Sequence, residues 1–148
     1  MAYATQRDLD VKWGEEAVSL AAYDAASQLR SQDKIAAALC AASALMDGYF
    51  CKRYALPIDA APAGVTLLRN LCCDLAMGEL SMQPGSRNDI VKDAVADARK
   101  FLELVARGQA DIPQNPPPGV SAAALPSPNE VIVEDDRRMF TRRSLRQM

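Results

Sequence analysis

Residues 31–57 read SQDKIAAALCAASALMDGYFCKRYALP, and the fold class turns on them. Ile35, Leu39, Ala42, Met46, Tyr49 and Phe50 recur at spacings of three and four, the period of one face of an α-helix. Ser31 suits the N-cap, where its hydroxyl accepts from a backbone N–H that the first turn leaves unpaired. At the other end Leu56-Pro57 forces the chain out of helical geometry, so the helix ends by Ala55. A long helix with one apolar face needs apolar partners, and the flanking sequence supplies them.

Upstream, Thr5 and Asp8 have capping-box spacing, and Leu9, Val11 and Trp13 give a short helix its apolar contacts before Gly14 interrupts. Glu15 and Glu16 then suit the start of a further helical piece running to about Ala22, because carboxylates favour the positive end of the helix dipole. Downstream, Pro57 and Pro62 bracket a short loop. A third helix from Pro62 or Ala63 to Leu80 buries Leu68, Leu71, Cys72, Leu75 and Leu80. After Pro84-Gly85, a fourth starts at a Ser86 cap with Asp89 three residues on. Its apolar line runs through Ile90, Ala94, Ala98, Phe101, Leu102 and Val105, and it stops at Gly108, which suits a left-handed C′ position.

The expected fold is therefore mainly α: a small four-helix bundle with a proline-rich extended C-terminal arm that carries a short β-strand. Three segments follow. Residues 1–112 form the helical domain, with Leu39, Met46, Leu68, Leu71, Leu75, Phe101 and Leu102 in a shared core. Residues 113–130 (PQNPPPGVSAAALPSPNE) hold too many prolines to build a core. Residues 131–148 join a short strand, centred on EVIVE at 130–134, to a basic tail.

Composition excludes several kinds of chemistry. The chain has 148 residues, enough for one domain with a real core. No apolar run approaches the ~18 residues of a membrane span, and MAYATQRDLD lacks the pattern of a secretory signal, so the reading is a protein that is neither membrane-bound nor exported. With no histidine, His-based zinc sites, Ser-His-Asp triads and Cys-His dyads are ruled out. Cys40, Cys51, Cys72 and Cys73 are read as small reduced core residues, since all lie in apolar helical patterns and two are adjacent.

The net charge of −2 conceals an asymmetry. Residues 137–148, RRMFTRRSLRQM, hold five of the seventeen basic side chains and none of the nineteen acidic ones, which leaves twelve against nineteen, or −7, on residues 1–136.

The end of the second helix, DGYFCKRYALP at 47–57, gathers an acid, two tyrosines and two cations, and two readings compete. As an acid–base centre, Asp47, Arg53 and Tyr54 would lack any general base beyond an unassisted carboxylate, and no nucleotide-binding glycine loop or metal-carboxylate set accompanies them. As packing, Gly48 would admit a second backbone, since glycine costs about 1 kcal/mol against alanine inside a helix. Tyr49 and Tyr54 would bury their rings, Pro57 would stop the helix, and Arg53 would neutralise Asp74 of the third helix. The packing reading is preferred, with no enzyme, cofactor or metal. Trp13 is read as core, with a subunit-interface anchor as the alternative, since tryptophan is enriched among interface hot spots.

The chain resembles the Mu-like phage and prophage head-to-tail adaptor proteins, also called neck or head-completion proteins. The resemblance lies in MAYATQRDLDVKWGEE at 1–16, MDGYFCKRYALPI at 46–58, LLRNLCCDLA at 67–76 and VKDAVADARKFLELVARGQADI at 91–112, and covers about residues 1–112. Where the family has a basic–aromatic pair in the third helix, this chain has Met77-Gly78, and after Pro113 it matches only at MFTRRSL. The resemblance implies a structural virion protein that forms a ring, dodecameric by analogy with the portal, and joins the portal to the next neck or tail-completion protein. Genomic DNA would pass through its lumen without sequence-specific binding. In that setting Arg137, Arg138, Met139, Phe140, Arg142, Arg143, Leu145 and Arg146 suit docking on a partner such as the portal, because they combine charge with apolar anchors. The alternative is a small nucleic-acid-binding helical protein that uses its arginine-rich tail on phosphates. An acidic body and few aromatic residues oppose it.

Overall fold

Thr5 begins the first helix as its spacing predicts: its side chain accepts from the Asp8 N–H while the Asp8 carboxylate accepts from the Thr5 N–H at 2.9 Å. The computed structural model describes residues 2–24, 28–82 and 88–115. In chain order the elements are α1 (Gln6–Trp13), α2 (Glu15–Ala21), the two-residue strands β1 (Tyr23–Asp24) and β2 (Leu29–Arg30), α3 (Gln32–Phe50), α4 (Pro62–Leu80) and α5 (Asp89–Arg107). β1 and β2 pair antiparallel, Tyr23 opposite Arg30. This hairpin was not expected, because strands of two residues leave no readable alternation. The chain is mainly helical, as predicted.

The three long helices pack on one another, and α1 and α2 lie against α4. Leu9, Ile35, Met46, Phe50 and Leu102 are fully buried, and the predicted core residues Leu39, Leu68, Leu71 and Leu75 join them. Phe101 is half-buried. Ile90 is 66% exposed and Val11 79% exposed, against expectation. At about 100° per residue, Ile90 sits one step off the line Val91–Ala98–Leu102–Val105 that faces the core, and Val11 sits two steps from Leu9. The same rotation explains the cysteines. Cys72 and Cys73 are buried as predicted, whereas Cys40, one step beyond buried Leu39, and Cys51 are exposed.

The cap of α5 is Asn88, not Ser86: the Asn88 side chain accepts from the Ile90 N–H at 3.1 Å. Ser86 lies outside the described residues. The compact unit spans Met1–Asn115. The predicted strand at 130–134 and the proposed docking residues Arg137 to Arg146 also lie outside the described residues. Among those described, no helix is long and apolar enough to cross a membrane.

Candidate functional site

The 47–61 segment holds both ends of the described chain. At its start the Asp47 carboxylate accepts from the Tyr3 hydroxyl, and Tyr3 N–H donates to Ser43 Oγ at 3.3 Å. Burial, followed by this hydrogen bond to Asp47, pushes the Tyr3 phenol above its ordinary value. Phe50 is fully buried and meets the rings of Tyr3 and Tyr54 edge-on, at 6.2 and 6.3 Å between centroids, an arrangement that suits the ring quadrupoles.

Arg53 and Tyr54 then reach the end of α5. Arg53 Nη1 donates to the Val105 and Ala110 carbonyl oxygens at 2.9 and 3.2 Å, and Nη2 lies 3.0 Å from Asp111 Oδ1. The Val105 and Ala110 carbonyls flank the place where Gly108 takes φ 79° and ends α5, so the guanidinium satisfies acceptors that helix termination exposes. Tyr54 OH donates to Asp111 Oδ1 at 3.2 Å and accepts from the Ile112 N–H at 3.1 Å. Beyond the cis Leu56-Pro57 bond, Ala60 forms an antiparallel bridge with Gln114. Ala61 N–H donates to the Pro113 carbonyl at 2.9 Å, and Asn115 donates from its backbone to Asp59 O at 3.1 Å and from its side chain to Asp59 Oδ1 at 2.8 Å. A Cβ on Gly64 would run into the Pro113 carbonyl, so glycine is what lets residue 113 lie on the first turn of α4.

Two sequence expectations for this motif are corrected. Arg53 does not pair with Asp74. Asp74 takes Lys12 of α1, with Nζ 2.6 Å from Oδ1, while Arg53 is drawn to the carbonyls closing α5. Gly48 admits no second backbone: nothing lies within 4 Å of a Cβ placed there, because it sits on the exposed face of α3, opposite buried Met46 and Phe50. Tyr49 is half-buried against the core and Pro57 is exposed. Asp59, Gly64, Asp111 and Asn115 were missed, because their partners lie more than 45 residues away and no local pattern records them. Tyr3 was missed in the same way, its partners Ser43 and Asp47 lying 40 and 44 residues away.

The arrangement is a mechanical clamp. Its polar groups satisfy one another, and among the described residues no cluster of three or more histidine, cysteine or acidic side chains has the geometry of a metal site. The comparisons with known proteins agree with a structural reading. The profile described as Bacteriophage Mu, Gp36 matches residues 3–130. The chain belongs to that family. It is also 30% identical over 148 residues to gene product J of Escherichia phage Mu, covering 97% of this chain and 96% of that protein. Membership in the Gp36 family indicates a Mu-like phage structural protein, and the clamp holds the last described residues of this Gp36-family chain, Pro113 to Asn115, against the 59–61 segment.

Proposed function

We propose that the protein is a head-to-tail adaptor of the virion neck: it assembles as a ring, of twelve copies if it follows the portal's symmetry, and connects the DNA-filled capsid to the next neck or tail-completion protein. The observation that carries this reading is the family match, which runs through the helical body and beyond Asn115 to residue 130. The clamp supports it, because a subunit that docks through a C-terminal segment needs a fixed origin for that segment, and Arg53, Tyr54 and Asp59 supply one. The acidic body also suits a channel wall, since repulsion lets DNA slide without adhering. The same charge opposes the nucleic-acid-binding alternative. The test is stoichiometric association of the purified protein with purified portal, imaged by negative-stain microscopy. Rings seated on portal are the expected result. Salt-sensitive binding to duplex DNA, with none to portal, would favour the alternative.

A further inference from the structure

Two grooves flank α5, one on each side of its buried line, and they differ in charge. The first, about 490 Å³, runs between α1, α4 and α5 over Trp13, Leu67, Leu71 and Phe101, with Asp97 at its rim. Asp74 also lines it but is taken by Lys12, so Asp97, which has no ion pair among the described residues, supplies the rim charge, with Asp93 one turn before it and Lys100 one turn after it. The second, about 440 Å³, lies between the C-terminal half of α4 and the N-terminal half of α5 over Leu75, Val91 and Val95. Lys92 and Arg99 line it against a single carboxylate, Glu79. Lys92 has only an exposed pair with Asp89 on its own helix, and no ion pair engages Arg99 among the described residues. At about 100° per residue, Asp97 and Arg99 project to opposite flanks of the helix.

We infer that these two grooves are the two halves of one subunit–subunit contact: the acidic Asp93/Asp97 flank of one copy docks on the basic Lys92/Arg99 flank of the next. The occupant is a second copy of this chain, and charge complementarity carries the assignment. A surface with an apolar floor and an unneutralised rim charge is matched by another with an apolar floor and the opposite charge, on the far side of the same helix. Copies with a net negative body repel one another at a distance, so association needs such a local match. Because the halves are different surfaces, the contact is heterologous and repeats from copy to copy, closing into a ring when the rotation allows. The inference rests on the ring reading above and names the surface that the ring uses.

The test is a charge swap in the full chain. Asp97→Lys and Arg99→Glu alter exposed residues that have no ion-pair partner among the described residues, and matching thermal unfolding curves establish that the fold is kept. Each variant alone sets like charges against each other at every contact and loses association roughly tenfold or more. An equal mixture of the two restores it, because alternating copies then meet through one natural and one reversed pair, and the double variant restores it as well. Association is read by sedimentation velocity at low and high salt. Where the free protein does not self-associate, it is read by particle yield after co-expression in the phage or prophage that encodes it. Single variants that behave as wild type, or a mixture and a double variant that both stay as defective as the singles, overturn the assignment. Unchanged yield of tailed particles on deleting the gene would instead overturn the adaptor reading, whatever the variants do.

Discussion

Arg53 donates to the Val105 carbonyl oxygen at 2.9 Å across 52 residues of chain, and so one helix end closes another. The hydrogen bonds to carbonyls and the ion pair with Asp111 contribute differently. The Asp111 side chain is 61% exposed, and solvent screens such a pair to below about 1 kcal/mol. Removing the guanidinium leaves the Ala110 carbonyl without a donor among the described residues and the Val105 carbonyl with only the Gly108 N–H at 3.0 Å, at about 1–3 kcal/mol. Denaturant unfolding should therefore show Arg53→Met losing clearly more stability than Asp111→Asn. Equal losses would assign the effect to the ion pair.

Gly64 and Gly48 make opposite predictions from one residue type. A methyl group at Gly64 meets the Pro113 carbonyl, whereas one at Gly48 meets nothing within 4 Å. Gly48→Ala should stabilise by up to about 1 kcal/mol through helix propensity. Gly64→Ala should forfeit that gain by lifting residue 113 off α4, and the Ala61 and Asn115 amides should exchange with solvent faster. Retained protection at Ala61 would mean that residue 113 is not seated on Gly64.

The helices were legible because each carries its own evidence: the Thr5/Asp8 spacing, the Ser31 cap, Pro62 at the start of α4 and Gly108 at the end of α5. The clamp was half legible. Arg53 and Tyr54 stood out as polar groups at a helix end, but a helix end names no partner, and Asp74 was chosen where Asp111 and the α5 carbonyls are found. Cys40 and Ile90 show the second limit. An alanine-rich helix such as α3 has apolar residues all round, so composition does not say which of them faces the core.

Leu71 tests the register of α4. It is 7% exposed and packed in the shared core, so Leu71→Ala should cost about 2–5 kcal/mol in denaturant unfolding. A loss within error would put residue 71 at the surface and rotate the whole helix.

Burial separates the four thiols. Burial raises the Cys72 thiol, and it raises Cys73 to about 12 from 9.0, with the neighbouring Cys72 adding to the effect. At about pH 8 a thiol reagent should modify Cys40 and Cys51 in the native protein and spare the buried pair. The raised values also set the direction of the pH dependence. In the unfolded chain these thiols and the Tyr3 phenol ionise near their ordinary 9.0 and 10.0, while in the native protein they hold their protons. Their contribution is full below about pH 9 and is lost as pH rises toward their native values. The denaturant midpoint should fall on the alkaline side, less steeply above about pH 10 in Tyr3→Phe. A midpoint that holds constant to about pH 11 would show that these groups are not held protonated by the fold.

The C-terminal segment is tested by separating stability from attachment. Among the described residues, the buried core is built from residues between Ala4 and Ile112, and the clamp from residues up to Asn115. Beyond the clamped residues, an extended stretch over 116–130, about 15 residues, would reach roughly 46 Å at about 3.1 Å per residue. That is enough to pass beyond one small domain. Its end combines Arg137, Arg138, Arg142, Arg143 and Arg146 with Met139, Phe140 and Leu145. A purely solvating tail has no use for the apolar three, whereas a docking segment anchors through them and takes its specificity from the arginines. Deleting 131–148 should leave the thermal midpoint of the bundle unchanged within error and abolish stable attachment to portal-bearing heads. If the truncated protein still completes heads and joins tails at normal yield, residues 131–148 do not dock.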